Sequence, residues 1–190
     1  MGNFWSTKSI LNEELLATYV ELTYLRRSEI QRIVNLLDSV NPGKLQNNLQ
    51  HRFTTEEVDI ILPGINCSPF RESIYRVFSS EKDDHLSLED ILDLCSAFSQ
   101  NCPESVRITW AFHIFDFDGD NQISLEDVME VVCRLIPNIK EEYEDIDIEH
   151  IAQMIFQEVS YNQLGNISAE EFIRFSSRIS DFSSSFQFRI

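Results

Sequence analysis

The stretch DFDGDNQISLED, from Asp116 to Asp127, decides the fold class. Aspartates stand at its first, third, fifth and twelfth places and an isoleucine stands at its eighth. This alternation directs oxygen atoms toward one point, which is the ligand pattern of an EF-hand calcium loop. Two places depart from a strong calcium loop. Asn121 stands where glycine is usual, and Asp127 replaces the long terminal glutamate.

The quoted loop predicts one site for Mg²⁺ or Ca²⁺. The expected ligands are carboxylates, one backbone carbonyl from the seventh place and one water-mediated hydroxyl: Asp116, Asp118, Asp120, Gln122, Ser124 and Asp127. Aspartate is one methylene shorter than glutamate, so we expect Asp127 to reach the ion with one oxygen. The resulting six-coordinate shell favours magnesium binding and weakens calcium binding. The alternative is an acidic surface turn that holds no ion.

Helical patterns surround this loop and recur along the chain. Apolar residues follow helical spacing before and after the loops 79–90, 116–127 and 160–171. Residues 28–40 and 54–62 predict a further helix pair upstream. Three capping boxes are predicted, at Ser28/Gln31, Thr54/Glu57 and Ser168/Glu171. The sequence therefore predicts an all-α protein with four EF-hand repeats in two pairs and extra helices at both ends.

Two of the loops keep the shape of an EF-hand without its full chemistry. Loop 160–171, SYNQLGNISAEE, has Ser160, Asn162 and Leu164 at its first, third and fifth places. We expect a structural role for it, in which Ile167 pairs with Ile123. Loop 79–90, SSEKDDHLSLED, begins with serine and lacks glycine at its sixth place. We expect it to hold no metal, and its acidic residues to form a solvated turn.

Composition and sequence patterns argue against several classes of function. The net charge of −17 argues against a nucleic-acid partner, because phosphate backbones bind basic surfaces. The chain has no run of 18 apolar residues and no signal-peptide core, so we expect a soluble protein inside the cell. We also expect no catalysis, because the four histidines fit no nucleophile or zinc pattern.

The patterns divide the chain into four predicted parts. Residues 1–27 form an N-terminal extension with one helix, and residues 28–100 form an EF-hand pair with no intact metal loop. Residues 103–179 form a second pair that contains the metal loop, and residues 180–190 form an apolar tail.

Several stretches together resemble the calcium and integrin-binding protein family over nearly the whole chain. They are NEELLATYVELTYL (12–25), SPFRESIYRVFS (68–79), LSLEDILDLCSAFS (86–99), WAFHIFDFDGD (110–120) and ISDFSSSFQFRI (179–190). The resemblance implies two degenerate N-terminal hands and an aspartate at the twelfth place of the third loop. It also implies a non-enzymatic adaptor for cytoplasmic helices of membrane proteins, such as integrin α tails; we expect the helix to be amphipathic and the adaptor to be a monomer. The chain departs from the family in its fourth loop, which lacks the usual acidic ligands.

Both ends of the chain carry functional signals. MGNFWS matches the N-myristoylation pattern, with Gly2 as the acceptor. The tail is too apolar to be left in water, and its large side chains are Phe182, Phe186, Phe188 and Ile190. We expect the tail to cover the apolar groove of the EF-hand pair and to compete with target helices. The alternative is that the tail completes the core and never moves.

Three function hypotheses follow. The first is the adaptor, cytoplasmic and peripherally associated with a membrane. The second is a weak calcium buffer, which would need several strong loops. The third is a regulatory subunit of an enzyme, of the phosphatase B type. The single intact loop and the family resemblance favour the adaptor.

Overall fold

The computed structural model describes residues 10–136, 145–160, 165–179 and 182. Within these ranges the chain is predominantly helical with one small sheet, which confirms the all-α prediction. The helices are α1 Glu13–Leu22, α2 Arg27–Val40, α3 Lys44–Asn47, α4 Thr55–Ile61, α5 Pro63–Asn66, α6 Arg71–Phe78, α7 Leu88–Ala97, α8 Glu104–Phe115, α9 Leu125–Leu135, α10 Asp145–Val159 and α11 Ala169–Ser176. The strands are β1 Phe53–Thr54 and β2 His85–Leu86. Six residues named above lie outside the described residues: Gly2, Asn162, Leu164, Phe186, Phe188 and Ile190.

Four helices begin with the same hydrogen-bonded cap. A serine or threonine hydroxyl accepts from the backbone three residues on, where an acidic side chain accepts in return from the cap residue's N–H. The pairs are Thr54/Glu57 for α4, Ser87/Asp90 for α7, Ser124/Asp127 for α9 and Ser168/Glu171 for α11. The predicted boxes at Thr54 and Ser168 are therefore confirmed.

The predicted capping box at Ser28 and Gln31 is wrong. Helix α2 begins one residue earlier, at Arg27, and the Glu29 carboxylate accepts the backbone N–H of Arg26 at 2.6 Å. A carboxylate accepts a hydrogen bond from a backbone amide more strongly than the Gln31 amide could, so Glu29 sets where the helix starts.

Short antiparallel contacts join the loops in two places. Strands β1 and β2 pair with Phe53 opposite Leu86. Ile123 and Ile167 exchange both backbone hydrogen bonds, at 2.9 and 2.8 Å, which confirms their predicted pairing. Leu86, Ile123 and Ile167 each stand at the eighth place of their loops. The count of four EF-hand repeats stays a prediction.

One hydrophobic core runs from the N-terminal helix to α11. It contains Leu11 and Leu16 at one end and Phe172 at the other. The Phe70 and Phe115 rings meet at 5.0 Å, and the Phe112 and Phe172 rings meet at 5.8 Å. The boundaries predicted for the four parts of the chain stay a prediction, but the residues on either side of position 100 share this core.

A polar contact also joins these two regions. The guanidinium of Arg76, on α6, donates to the backbone carbonyls of His113 and Asp116 at 3.2 and 2.6 Å. These carbonyls end α8, where helical C=O groups have no intrahelical partner. Helix α6 therefore fixes the point at which the acidic loop begins.

Candidate metal centre and neighbouring cavity

The acidic loop leaves α8 after Phe115 and enters α9 at Leu125. Two of its residues adopt left-handed backbone conformations, Gly119 with φ +77° and Asn121 with φ +64°. Asparagine enters this region more readily than most residues that carry a side chain. Asn121 therefore adopts the left-handed conformation that glycine usually provides at the sixth place of the loop.

Backbone hydrogen bonds hold the first three aspartates in position. The Asp116 carboxylate accepts the N–H of Gly119 at 2.8 Å and that of Asn121 at 2.9 Å. Asp118 accepts from Asp120 at 3.1 Å, and Asp120 accepts from Gln122 at 2.8 Å. These bonds fold the loop around its own carboxylates.

The three aspartates form one cluster of oxygens. One carboxylate oxygen from each of Asp116, Asp118 and Asp120 lies within 4.8 Å of the others. Asp116 is buried while the other two are exposed, and burial raises the pKa of the Asp116 carboxyl. Concentrated negative charge with hard oxygen donors fits a divalent cation such as Mg²⁺ or Ca²⁺.

Asp127 is the last residue of the loop and is held by hydrogen bonds to two other loop residues. The residue is 5% exposed, and one oxygen of its carboxylate accepts the backbone N–H of Phe117 at 3.1 Å. The other oxygen accepts from the N–H and the hydroxyl of Ser124, at 2.8 and 2.7 Å. Asp127 thus ties the second place of the loop to its ninth place and caps α9.

The neighbouring loop keeps the EF-hand shape at its described places. Gly165, at the sixth place, has φ +88°, and Glu171, at the twelfth, accepts from Ser168. The side-chain amide of Asn166 donates to the Gln122 side chain at 3.0 Å, so the two loops are joined beside the Ile123–Ile167 contact. This bond occupies the Gln122 side-chain oxygen, whereas the expected ligand is its backbone carbonyl.

An apolar cavity of about 150 Å³ lies beside the acidic loop. Its lining residues come from α8, the two loops, α9, α10, α11 and the tail: Phe115, Ile123, Val128, Val131, Ile155, Val159, Ile167, Phe172, Phe175, Ser176 and Phe182. Phe115 directly precedes Asp116, and Val128 directly follows Asp127. The cavity and the candidate metal centre therefore share their supporting helices.

The first tail residue that the structure describes contacts this cavity. The Phe182 ring is partly buried and meets the Phe172 ring edge-on, at 5.8 Å and 77°. Ile155 also lines the cavity and is 42% exposed, so apolar surface continues outward from it.

The prediction of a solvated turn at loop 79–90 is wrong for Asp90, whereas Glu81, Asp83 and Asp84 are exposed. Asp90 is 7% exposed, and Asp83 accepts a hydrogen bond from the Arg52 guanidinium at 2.7 Å. The interpretation missed Arg52 because it lies 31 residues before Asp83 and outside the loop's own pattern. No sequence signal identified Arg52, because its place is set by the pairing of Phe53 with Leu86 in the small sheet.

Comparisons with known proteins agree with the loop geometry. The family model "EF-hand domain pair" matches residues 105–177. Calcium and integrin-binding family member 3 of Mus musculus is 33% identical over 68% of this chain and 79% of its own length. The Homo sapiens protein of the same name is 27% identical, and family member 2 of Drosophila melanogaster is 29% identical, each over the full length of both chains. In the part of the chain that the structure describes, no helix has the length and apolar character to cross a membrane.

Proposed function

Because the chain belongs to the calcium and integrin-binding family, we propose that it is a non-enzymatic adaptor. In this proposal the loop Asp116–Asp127 binds one Mg²⁺ or Ca²⁺ ion, and the neighbouring cavity receives an amphipathic cytoplasmic helix of a membrane protein. An integrin α tail is the expected class of helix, since the relatives are named for integrin binding. The observation that carries the proposal is the apolar cavity built on the helices of the acidic loop.

The proposed ion ligands are those expected from the sequence. They are Asp116, Asp118, Asp120, the carbonyl of Gln122, Ser124 through a water, and Asp127. The clustered oxygens and the two left-handed residues support this assignment. When bound, the ion would neutralise the repulsion among the clustered carboxylates.

Asp127 makes magnesium an effective competitor of calcium. Its short side chain is held by Phe117 on one oxygen and by Ser124 on the other. Calcium sites usually include a bidentate glutamate here, whereas magnesium accepts an octahedral shell with fewer protein oxygens. Because hydrogen bonds already fold the loop, we expect the ion to stabilise the protein rather than to switch its shape.

The cavity suits the apolar face of a helix. Grooves of this kind take anchor residues spaced three and four apart, and exposed apolar surface continues from the lining through Ile155. The net charge of −17 favours a helix whose opposite face is basic. An adaptor needs these two features and no catalytic group.

The tail acts in this proposal as an internal competitor for the cavity. The contact between Phe182 and Phe172 supports it, and Phe186, Phe188 and Ile190 would extend it. A tethered segment has a high effective concentration, so a target helix must displace it or use the part it leaves free.

Membrane association would combine a weak lipid anchor with the protein partner. Gly2 is the proposed myristoylation site. One myristoyl chain gives only marginal membrane affinity, about 10⁴ M⁻¹. The adaptor, acting as a monomer, would therefore reside at a membrane only when its partner is there.

Binding of an integrin α cytoplasmic peptide tests the proposal. We expect Ile155→Asp to weaken binding by more than about tenfold, because losing an apolar contact of roughly 1.5–3 kcal/mol corresponds to that change. Ile60→Asp is the matched control, since Ile60 is 69% exposed and lies on α4, outside the cavity lining. Fluorescence anisotropy measures both variants. Equal binding by Ile155→Asp and the unchanged chain would contradict the groove.

A further inference from the structure

The loop from Ser79 to Asp90 has the backbone of an ion-holding loop although its sequence lacks glycine. Lys82 and Asp84, at its fourth and sixth places, have φ +54° and +59°. Gly119 and Asn121 occupy the same two places of the acidic loop with the same sign of φ. Residues other than glycine rarely adopt a positive φ, so we expect interactions inside the loop to hold Lys82 and Asp84 in this conformation.

The side chain of Arg52 supplies one such interaction, beside the loop's own hydrogen bonds from Ser79 and His85 to Asp83. Its Nη2 donates to Asp83 Oδ1 at 2.7 Å and to the His85 carbonyl at 2.6 Å. Its Nη1 lies 3.3 Å from Asp90 Oδ2. Three further oxygens of the loop lie within 3.3 to 3.7 Å of the guanidinium: Ser79 Oγ, Ser80 Oγ and Glu81 Oε1.

These contacts match the ligand places of an EF-hand. Calcium loops bind their ion through side chains at places one, three, five and twelve and through the carbonyl at place seven. Ser79, Glu81, Asp83 and Asp90 hold those side-chain places, and the His85 carbonyl holds place seven. The five groups that would surround an ion instead surround one guanidinium.

We infer that the Arg52 guanidinium occupies the cation position of loop 79–90, so that this loop is filled without metal. The guanidinium is permanently charged and its forked donors match carboxylate geometry. The side chains of Arg52 and Asp90 are 17% and 9% exposed, which strengthens their contact relative to a surface ion pair. The N-terminal half of the chain thereby keeps its loop geometry at any concentration of Mg²⁺ or Ca²⁺.

The short sheet delivers the guanidinium to its position. Arg52 directly precedes Phe53, which pairs with Leu86 beside the His85 carbonyl. From that position the Arg52 side chain reaches into loop 79–90. A divalent ion would have to displace a charge that is tethered by the same β-pairing, so its binding is blocked.

Removal of the guanidinium should uncover a divalent-ion site. Glu81, Asp83 and Asp90 would then lack a counter-charge, and the Ser79 hydroxyl and the His85 carbonyl would lose a donor. This set of hard oxygens fits Mg²⁺ or Ca²⁺. The site is independent of the proposed ion in loop 116–127.

The test counts ions bound by the full chain and by Arg52→Met, a variant of similar length without charge. Calorimetry and native mass spectrometry are run with Ca²⁺ alone and with Mg²⁺ alone. We expect Arg52→Met to bind one more ion per chain than the unchanged protein, whatever number the unchanged protein binds. Adding Asp83→Asn to Arg52→Met should abolish the extra ion.

A second variant and a stability measurement test whether Arg52→Met binds no ion simply because it fails to fold. Without ions, Arg52→Met should melt at a lower temperature than the unchanged chain, and Ca²⁺ should recover most of that difference. Arg52→Gln, which keeps a neutral donor, repeats the measurement. If neither variant takes up an additional ion, or if neither folds even with excess Ca²⁺, the inference is overturned.

Discussion

Replacement of Phe182 by alanine would remove the described contact between the tail and the cavity. Full burial of a phenylalanine is worth roughly 1.5–3 kcal/mol, and an edge-to-face ring pair adds about 0.5–1.5 kcal/mol. Phe182 is only partly buried against Phe172, so its contribution falls below the value for full burial. We expect the tail contact to weaken by about 1.4 kcal/mol, which is tenfold in an equilibrium constant.

If the tail competes with a target helix, weakening the tail contact raises the affinity of the protein for that helix. If the tail covers the cavity most of the time, a target helix binds only the small uncovered fraction. A tenfold weaker contact enlarges that fraction up to about tenfold, and the apparent dissociation constant falls by the same factor. The free energy of unfolding should fall by about 1.4 kcal/mol in the same variant, because the contact also stabilises the fold.

Two measurements on the same variant separate the alternatives. Urea denaturation gives the loss of stability, and fluorescence anisotropy with a labelled integrin α tail peptide gives the affinity. Phe175→Ala is the matched control, since Phe175 lines the same cavity from α11 and its loss should weaken both stability and peptide binding. A Phe182→Ala protein that loses stability and gains no affinity would show that the tail only completes the core.

Four further outcomes are expected. Asp127→Glu should raise calcium affinity relative to magnesium, because the longer side chain restores a bidentate ligand; calorimetry showing an unchanged preference would contradict this. An ion at ten times its dissociation constant should add about 1.4 kcal/mol to stability, and Asp116→Ala should abolish that increment in thermal melts while the helical circular dichroism persists. The Arg52 guanidinium lowers the pKa of Asp83 from 3.8 to about 2. The contribution of Asp83 to stability is therefore complete above pH 3.8 and is lost as the pH falls toward 2. Asp83→Asn should flatten that part of the acid unfolding curve, and an unaltered curve would exclude the linkage. Co-expression with the myristoyl transferase should add one myristoyl group to Gly2, and an intact mass without it would refute the acceptor assignment.

Local sequence patterns predicted the helices and the loop pairing well. Alternating aspartates with Ile123 at the eighth place predicted the acidic loop, and the eighth-place rule located its contact with Ile167. The capping boxes at Thr54 and Ser168 were predictable because both partners lie within one turn of the helix. The ion ligands and the role of the tail stay predictions.

Two errors show what local sequence patterns cannot predict. The cap of α2 was placed at Ser28 because a serine–glutamine pair fits the rule, but the observed cap pair, Arg26 and Glu29, lies two residues earlier and Glu29 is the stronger acceptor. The partner of Asp83 was missed because Arg52 reaches it only through the register of β1 and β2. Neither the choice between two overlapping caps nor a contact across 31 residues can be derived from spacing alone.

The bond from Arg76 to the Asp116 carbonyl has a consequence for how the molecule opens. It joins α6 to the first residue of the acidic loop, while the Phe70 and Phe115 rings pack together nearby. We therefore expect the two regions on either side of position 100 to unfold as one cooperative unit rather than as two independent foldons. Amide hydrogens in α6 and α8 should exchange through the same opening, and chelation of an ion at the acidic loop would lower the protection of both together.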